Sequence, residues 1–120
     1  MSQPELSVVV PVFNERDNVA PLVAEITAAL RGRLPFEIVY IDDNSRDDTL
    51  AVLQGLKATT PELRVLHHVN QSGQSTAVRT GVKHARAPWI ATLDGDGQND
   101  PADIPKLLAV EDTLVVPNRA

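Results

Sequence analysis

Continuous apolar runs alternate along this chain with segments whose apolar residues recur every three or four positions. Leu6-Ser7-Val8-Val9-Val10 is β-branched and nearly unbroken, which predicts a strand buried on both faces, closed by Pro11. Val19, Leu22, Val23, Ile26 and Leu30 then fall at helical spacing and predict a helix over 18–30. Pro21 is tolerable there only near the first turn. Residues 36–41 predict a second strand, ending at Asp42-Asp43. Asp47 or Asp48 is placed to cap a helix carrying Leu50, Leu53 and Leu56 on one stripe. A third strand follows over 63–69, and a third helix over 75–85 with Val78 and Val82 one turn apart. Residues 89–93 predict a fourth strand. Ile104, Leu107 and Leu108, opened by Pro101, mark a short fourth helix, and Leu114-Val115-Val116 begins a fifth strand.

Strands of this kind alternating with amphipathic helices imply an α/β fold with a mostly parallel sheet sandwiched by helices. At 120 residues and 42% hydrophobic content, the chain fits one domain, residues 1–120, with a real core. A net charge of −5 argues against nonspecific binding to nucleic acid. With no cysteine there is neither a disulfide framework nor a thiolate metal site, so any metal falls to oxygen or histidine ligands. The amino terminus lacks a basic leader, and no apolar stretch is long enough to span a bilayer. The expected location is the cytoplasm, or the periphery of a membrane's inner face.

In such sheets ligands sit at the carboxyl ends of the strands. Three strands here run into polar clusters: Asn14-Glu15, Asp42-Asp43-Asn44-Ser45 and Asp94-Gly95-Asp96. Three acidic ends on one edge repel one another, a cost that a cation or a nucleotide's donor groups relieve. Asp94 and Asp96 share one side of an extended chain, and with the Gln98 amide oxygen they offer hard ligands suited to Mg²⁺ or Mn²⁺. Gly95 and Gly97 leave room for phosphates beside the backbone. The same Asp-Gly pairs are also ordinary turn formers. Glu15 and Asp43 read either as acceptors for a base or ribose, or as acids opening the helices that follow. The turn 70–75 offers backbone N–H groups that can meet an anion, or is a plain loop and cap. Arg79 is either a phosphate partner or a solvated charge. His67 and His68, as strand neighbours, point to opposite faces, which disfavours joint metal ligation. His84 suits a helix carboxyl terminus, Trp89 is assigned to packing, and Glu111-Asp112 falls on a turn.

Four segments together resemble family 2 glycosyltransferases of the GT-A fold, in the polyprenyl-phosphate branch typified by dolichol-phosphate mannosyltransferase. They are residues 8–15, 39–49, 73–81 and 92–101, the last reading Thr92-Leu93-Asp94-Gly95-Asp96-Gly97-Gln98-Asn99-Asp100-Pro101. The resemblance implies that Pro11, Phe13, Glu15, Ile41 and Asp43 hold the nucleoside of a GDP- or UDP-sugar. It implies that Asp94, Gly95 and Asp96 form the family's D-x-D element at the sugar and diphosphate. Asp96 and Gln98, with Asp94, then hold Mg²⁺ or Mn²⁺, and Arg119 meets the phosphate of a polyprenyl phosphate acceptor at a membrane. The implied reaction is an inverting hexosyl transfer, mannose or glucose class, with Asp94, Asp96 and Arg119 at its centre.

Pro117-Asn118-Arg119 lacks the small glycine-containing turn of the pattern, which weakens the case for Arg119. Family members continue through further strands and acceptor-side helices, so the resemblance covers the donor-binding half, with a GT-A sheet incomplete at its carboxyl end. A sheet so left open invites self-association. A family 2 transferase with a sugar hydroxyl acceptor and a nucleotide-binding module without turnover stay open. A receiver-type signalling domain is disfavoured because its acidic pair follows the first strand. A dinucleotide-binding domain lacks its G-x-G-x-x-G here.

Overall fold

The structure is a computed structural model that describes residues 3–93 and the backbone of 115–117. Its elements run β1 (Leu6–Val12), α1 (Arg16–Leu30), β2 (Phe36–Asp42), α2 (Thr49–Leu56), β3 (Leu63–His67), α3 (Gln74–His84), β4 (Trp89–Thr92) and β5 (Val115–Pro117). The expected fourth helix lies outside the described residues. The sheet order is β3-β2-β1-β4-β5. The first four strands are parallel, and β5 pairs antiparallel with β4.

Every residue of β1 and β2 is buried, as expected for strands covered on both faces. The period of two divides them between two cores. Leu6, Val8, Val10 and Val12, with Ile38 and Tyr40, pack against Val19, Leu22, Val23, Ile26 and Leu30 of α1 and Leu53 of α2. Val9, Val39, Ile41 and Ile90 face the opposite way and pack against Ala77 and Val82 of α3. Among the described residues the helices therefore lie on both sides, two against one. Of the stripe expected in α2, Leu53 is buried, while Leu50 and Leu56 are half-buried.

Several boundaries differ from those read in the sequence, each for a local reason. Pro11 does not close β1, which runs on to Val12 in register with Asp42. The Val9 carbonyl accepts from the Leu93 N–H, whereas the Val12 carbonyl accepts from the Asp43 N–H. Pro11 shares the parity of Val9, so its missing N–H leaves the β1–β2 ladder intact. Helix α1 begins two residues early, which puts Pro21 sixth in the helix. It removes the bond to the Asp17 carbonyl, but both residues are exposed and water can serve that carbonyl. β3 stops at His67, leaving Val69 77% exposed. Trp89, assigned to packing, is 40% exposed at the start of β4.

At the amino edge the Glu37 carboxylate is buried and fully engaged. It accepts from Ser7 Oγ (2.6 Å), Arg64 (2.8 Å) and the Arg86 N–H (2.7 Å), which ties the α3–β4 turn beneath the sheet.

Candidate nucleotide site at the carboxyl edge

The chain winds from β1 outward through β2 to β3, then returns through α3 to β4 on the other side of β1. The winding reverses between β1 and β4, and a ligand crevice is expected outside the carboxyl ends of those strands. Three loops meet on this edge, following β1, β2 and β3.

The first two are clamped together by hydrogen bonds. The Asn14 N–H donates to Ser45 Oγ (2.8 Å), the Arg46 N–H donates to Asn14 Oδ1 (2.8 Å), and the Glu15 N–H donates to Thr49 Oγ1 (2.9 Å). Asn14 and Asn44 both adopt left-handed backbone, φ 55° and 63°, which asparagine tolerates better than most residues. Asp47 caps α2 by accepting from the Thr49 N–H (2.9 Å) and the Thr49 hydroxyl. Of the two candidates, Asp47 makes that contact, and Asp48 occupies the N-cap position without one.

Asp42 and Asp43 point to opposite faces. Asp42 accepts weakly from the Ser45 N–H and lies 3.0 Å from His67 Nδ1. Asp43, 4% exposed, gathers the third loop. Its Oδ1 lies 2.9 Å from His68 Nδ1 and accepts from the Ser72 N–H (2.9 Å). Its Oδ2 accepts from the Gly73 N–H (2.8 Å), where Gly73 sits at φ 96°. Burial pushes the Asp43 pKa up. The hydrogen bonds from His68, Ser72 and Gly73 outweigh it and hold the carboxyl below its usual value. The turn that looked ready for an anion thus already holds one, supplied by the protein itself.

The expected nucleoside residues share this edge but present different surfaces. Phe13 and Glu15 are half-buried, and Glu15 accepts from Asn18 Nδ2 (2.6 Å) at the N-cap position of α1. Pro11 is buried in the strand. Ile41 is 0% exposed beneath α3, so its side chain offers a ligand no surface. Asp94, Gly95, Asp96, Gln98 and Arg119 lie outside the described residues, as does Glu111-Asp112. β4 brings the chain to this edge at Leu93, whose N–H bonds the Val9 carbonyl. Among the described residues no group of three or more acids and histidines is placed to hold a metal. Arg79 is exposed, and His84 contacts the Thr80 carbonyl through Nδ1 (2.9 Å). His67 and His68 lie on opposite faces, as strand neighbours must, but the contacts of His68 and Ser72 with Asp43, and of Thr49 with Glu15, run across the fold and leave no signal in the local sequence. Asn14 carried one local signal, an asparagine two residues beyond a strand.

A cleft of about 510 Å³ opens at the opposite, amino edge. Its Arg31 and Arg64 are already paired with Glu62 and Glu37.

The model of glycosyl transferase family 2 matches residues 7–115. The chain belongs to that family. It is 41% identical over 109 residues to a dodecaprenyl-phosphate galacturonate synthase of Rhizobium johnstonii, covering 88% of this chain and 32% of that protein. It is 38% identical over 104 residues to a dolichol-phosphate mannosyltransferase of Pyrococcus furiosus, covering 87% and 29%. The chain therefore spans about a third of the length of these family 2 relatives. Among solved structures, the fold matches a mannosyltransferase of Pyrobaculum calidifontis in complex with GDP-Man and Mn²⁺. The TM-score is 0.74 at 24% identity, covering 86% of this chain and 30% of that one. S. aureus TarS in complex with UDP matches at TM-score 0.75 and 23% identity, covering 88% and 31%. The fold is that of the GT-A glycosyltransferases. No helix among the described residues is long and apolar enough to cross a membrane.

Proposed function

We propose that residues 1–120 form the donor-binding part of an inverting, metal-dependent glycosyltransferase. It transfers a sugar of the mannose or glucose class from a GDP- or UDP-sugar to a polyprenyl phosphate at a membrane. The observation that carries this reading is the convergence of the β1, β2 and β3 loops on one edge, at the reversal of winding, in a family 2 chain. The polyprenyl-phosphate relatives support the acceptor class.

Phe13 and Glu15 would border the nucleoside, with Asp43 accepting from it through the one acceptor position left on Oδ2. Asp94, Asp96 and Gln98 carry the hard oxygen donors that Mg²⁺ or Mn²⁺ takes, and Arg119 would meet the acceptor phosphate. When bound, such an ion offsets the negative charge of the diphosphate. An oxygen of the acceptor phosphate attacks the anomeric carbon as its bond to the diphosphate breaks. That phosphate is already ionised, so no general base is required. Asp42 and Asp43, both held by internal partners, need not serve as one.

The test is calorimetric titration with GDP, UDP and their mannose and glucose conjugates, with and without Mn²⁺. One nucleotide should bind more tightly with the metal, and Asp96→Ala should erase that metal-dependent gain while leaving the melting transition in place. Unchanged affinity of the variant in Mn²⁺ would show that Asp96 is not a ligand.

A further inference from the structure

At the carboxyl edge the loop after β3 closes on one carboxylate of the loop after β2, and the side chain that fixes it comes from neither of the nucleoside segments. We propose that His68 is a positioning residue that sets the orientation of Asp43 toward the nucleoside. This inference rests on the reading above, in which Asp43 meets the donor's nucleoside.

A carboxylate can only accept, so the contact to Asp43 requires the proton on His68 Nδ1. The ring's other nitrogen, Nε2, lies 2.9 Å from Thr80 Oγ1, which is also 3.0 Å from the Thr76 carbonyl. Asp43, His68 and Thr80 thus form a chain that runs from the end of β2, across the end of β3, into the second turn of α3. Both ends of the imidazole are held, and the ring is largely buried at 16% exposure. With Nδ1 and the Ser72 N–H occupying Oδ1, and the Gly73 N–H taking one position on Oδ2, a single acceptor direction is left by the described residues. Without His68, two backbone donors from a loop would be left to hold the group. The carboxylate could then turn on those two bonds.

The geometry separates two isosteres. In His68→Asn the amide nitrogen stands near Nδ1 and can still donate to Asp43. In His68→Gln it stands near Nε2 and reaches Thr80 instead. The experiment measures the affinity of the preferred nucleotide with Mn²⁺, and of its nucleoside without metal, for wild type, His68→Asn, His68→Gln, Asp43→Ala and the Asp43→Ala/His68→Gln double variant. Each protein is first shown to melt cooperatively.

His68→Gln is expected to weaken both ligands equally, by about tenfold, the scale on which loss of an orienting partner acts. His68→Asn should recover most of that loss, and the double variant should bind no worse than Asp43→Ala alone. A merely structural histidine would lower the melting temperature without this pattern of rescue. Full affinity in His68→Gln beside a weakened Asp43→Ala would overturn the positioning role and leave Asp43's contact standing. Full affinity in Asp43→Ala would overturn both. Additive losses in the double variant would also count against it, by showing that His68 acts other than through Asp43.

Discussion

Single side chains in this fold are set by which core they enter. Tyr40 is 0% exposed in the core under α1 and α2, and its hydroxyl has no hydrogen-bond partner among the described residues. Burial pushes the phenol's pKa upward, since the charged form would be stranded in an apolar layer. A buried hydroxyl without a partner costs about 1–3 kcal/mol. Tyr40→Phe removes that cost with almost no change in volume, and should raise stability by about 1 kcal/mol, or about 4 °C in a domain of this size. Differential scanning calorimetry checks it, and a lower melting temperature would show that the hydroxyl is satisfied. The candidate site shows the limit of reading residue by residue. Asp43 stood out as an acid at a strand end, but its occupancy by His68, Ser72 and Gly73 depends on residues 25 to 30 positions away in the chain. Ile41, named through the resemblance, has α3 as its neighbour across the sheet face, and that cover is invisible to local pattern.

Elements were legible wherever burial imposes a period. The apolar strands and the α1 stripe at Val19, Leu22, Val23, Ile26 and Leu30 appear in the structure as their spacing required. Ends were less legible, because a strand stops where its neighbour stops. β1 passes through Pro11 since β2 continues beside it, and β3 ends before Val69. Of the face that α3 lays on the sheet, the periodicity showed Val82 but not how closely the helix approaches. That approach turns on Gly81, where a Cβ would stand 2.5 Å from Val9 Cγ1 and 2.6 Å from Ile41 Cδ1. Both neighbours are fully buried, and valine has little rotamer freedom with which to yield. Gly81→Ala gains helix propensity but overpacks this contact, and should cost about 1–3 kcal/mol net. Urea unfolding followed by circular dichroism would register the change, and a stabilised variant would mean that α3 slides outward freely. Movement of α3 also shifts Thr80, so the same variant should loosen the chain of contacts to Asp43.

Across the whole molecule, buried carboxylates fasten the two opposite edges of the sheet. Glu37 at the amino edge and Asp43 at the carboxyl edge both have pKa values below the ordinary ones, despite burial that acts the other way. For Glu37 the opposing contributions are hydrogen bonds from Ser7, the Arg86 N–H and Arg64, together with the Arg64 charge. A group whose native pKa is depressed binds more protons unfolded than folded, so stability rises with pH through that interval. Its contribution is complete above the ordinary values of 4.5 for Glu37 and 3.8 for Asp43, and is lost as pH falls through the lower native values. These two carboxylates therefore add no pH dependence between neutral pH and about pH 5, and the stability they supply should fall away below that. Glu37→Gln leaves Arg64 half-buried without its charge partner and weakens three hydrogen bonds. At neutral pH the loss should be about 1.5–3 kcal/mol, the range for a hydrogen bond to a charged group. The variant cannot lose a charge it does not have, so its acid limb must be shallower and its curve must converge on that of wild type. Urea midpoints measured from about pH 7 to pH 3 on both proteins decide the matter. Parallel curves, with the neutral-pH gap preserved at the acid end, would locate the acid sensitivity in carboxylates other than Glu37.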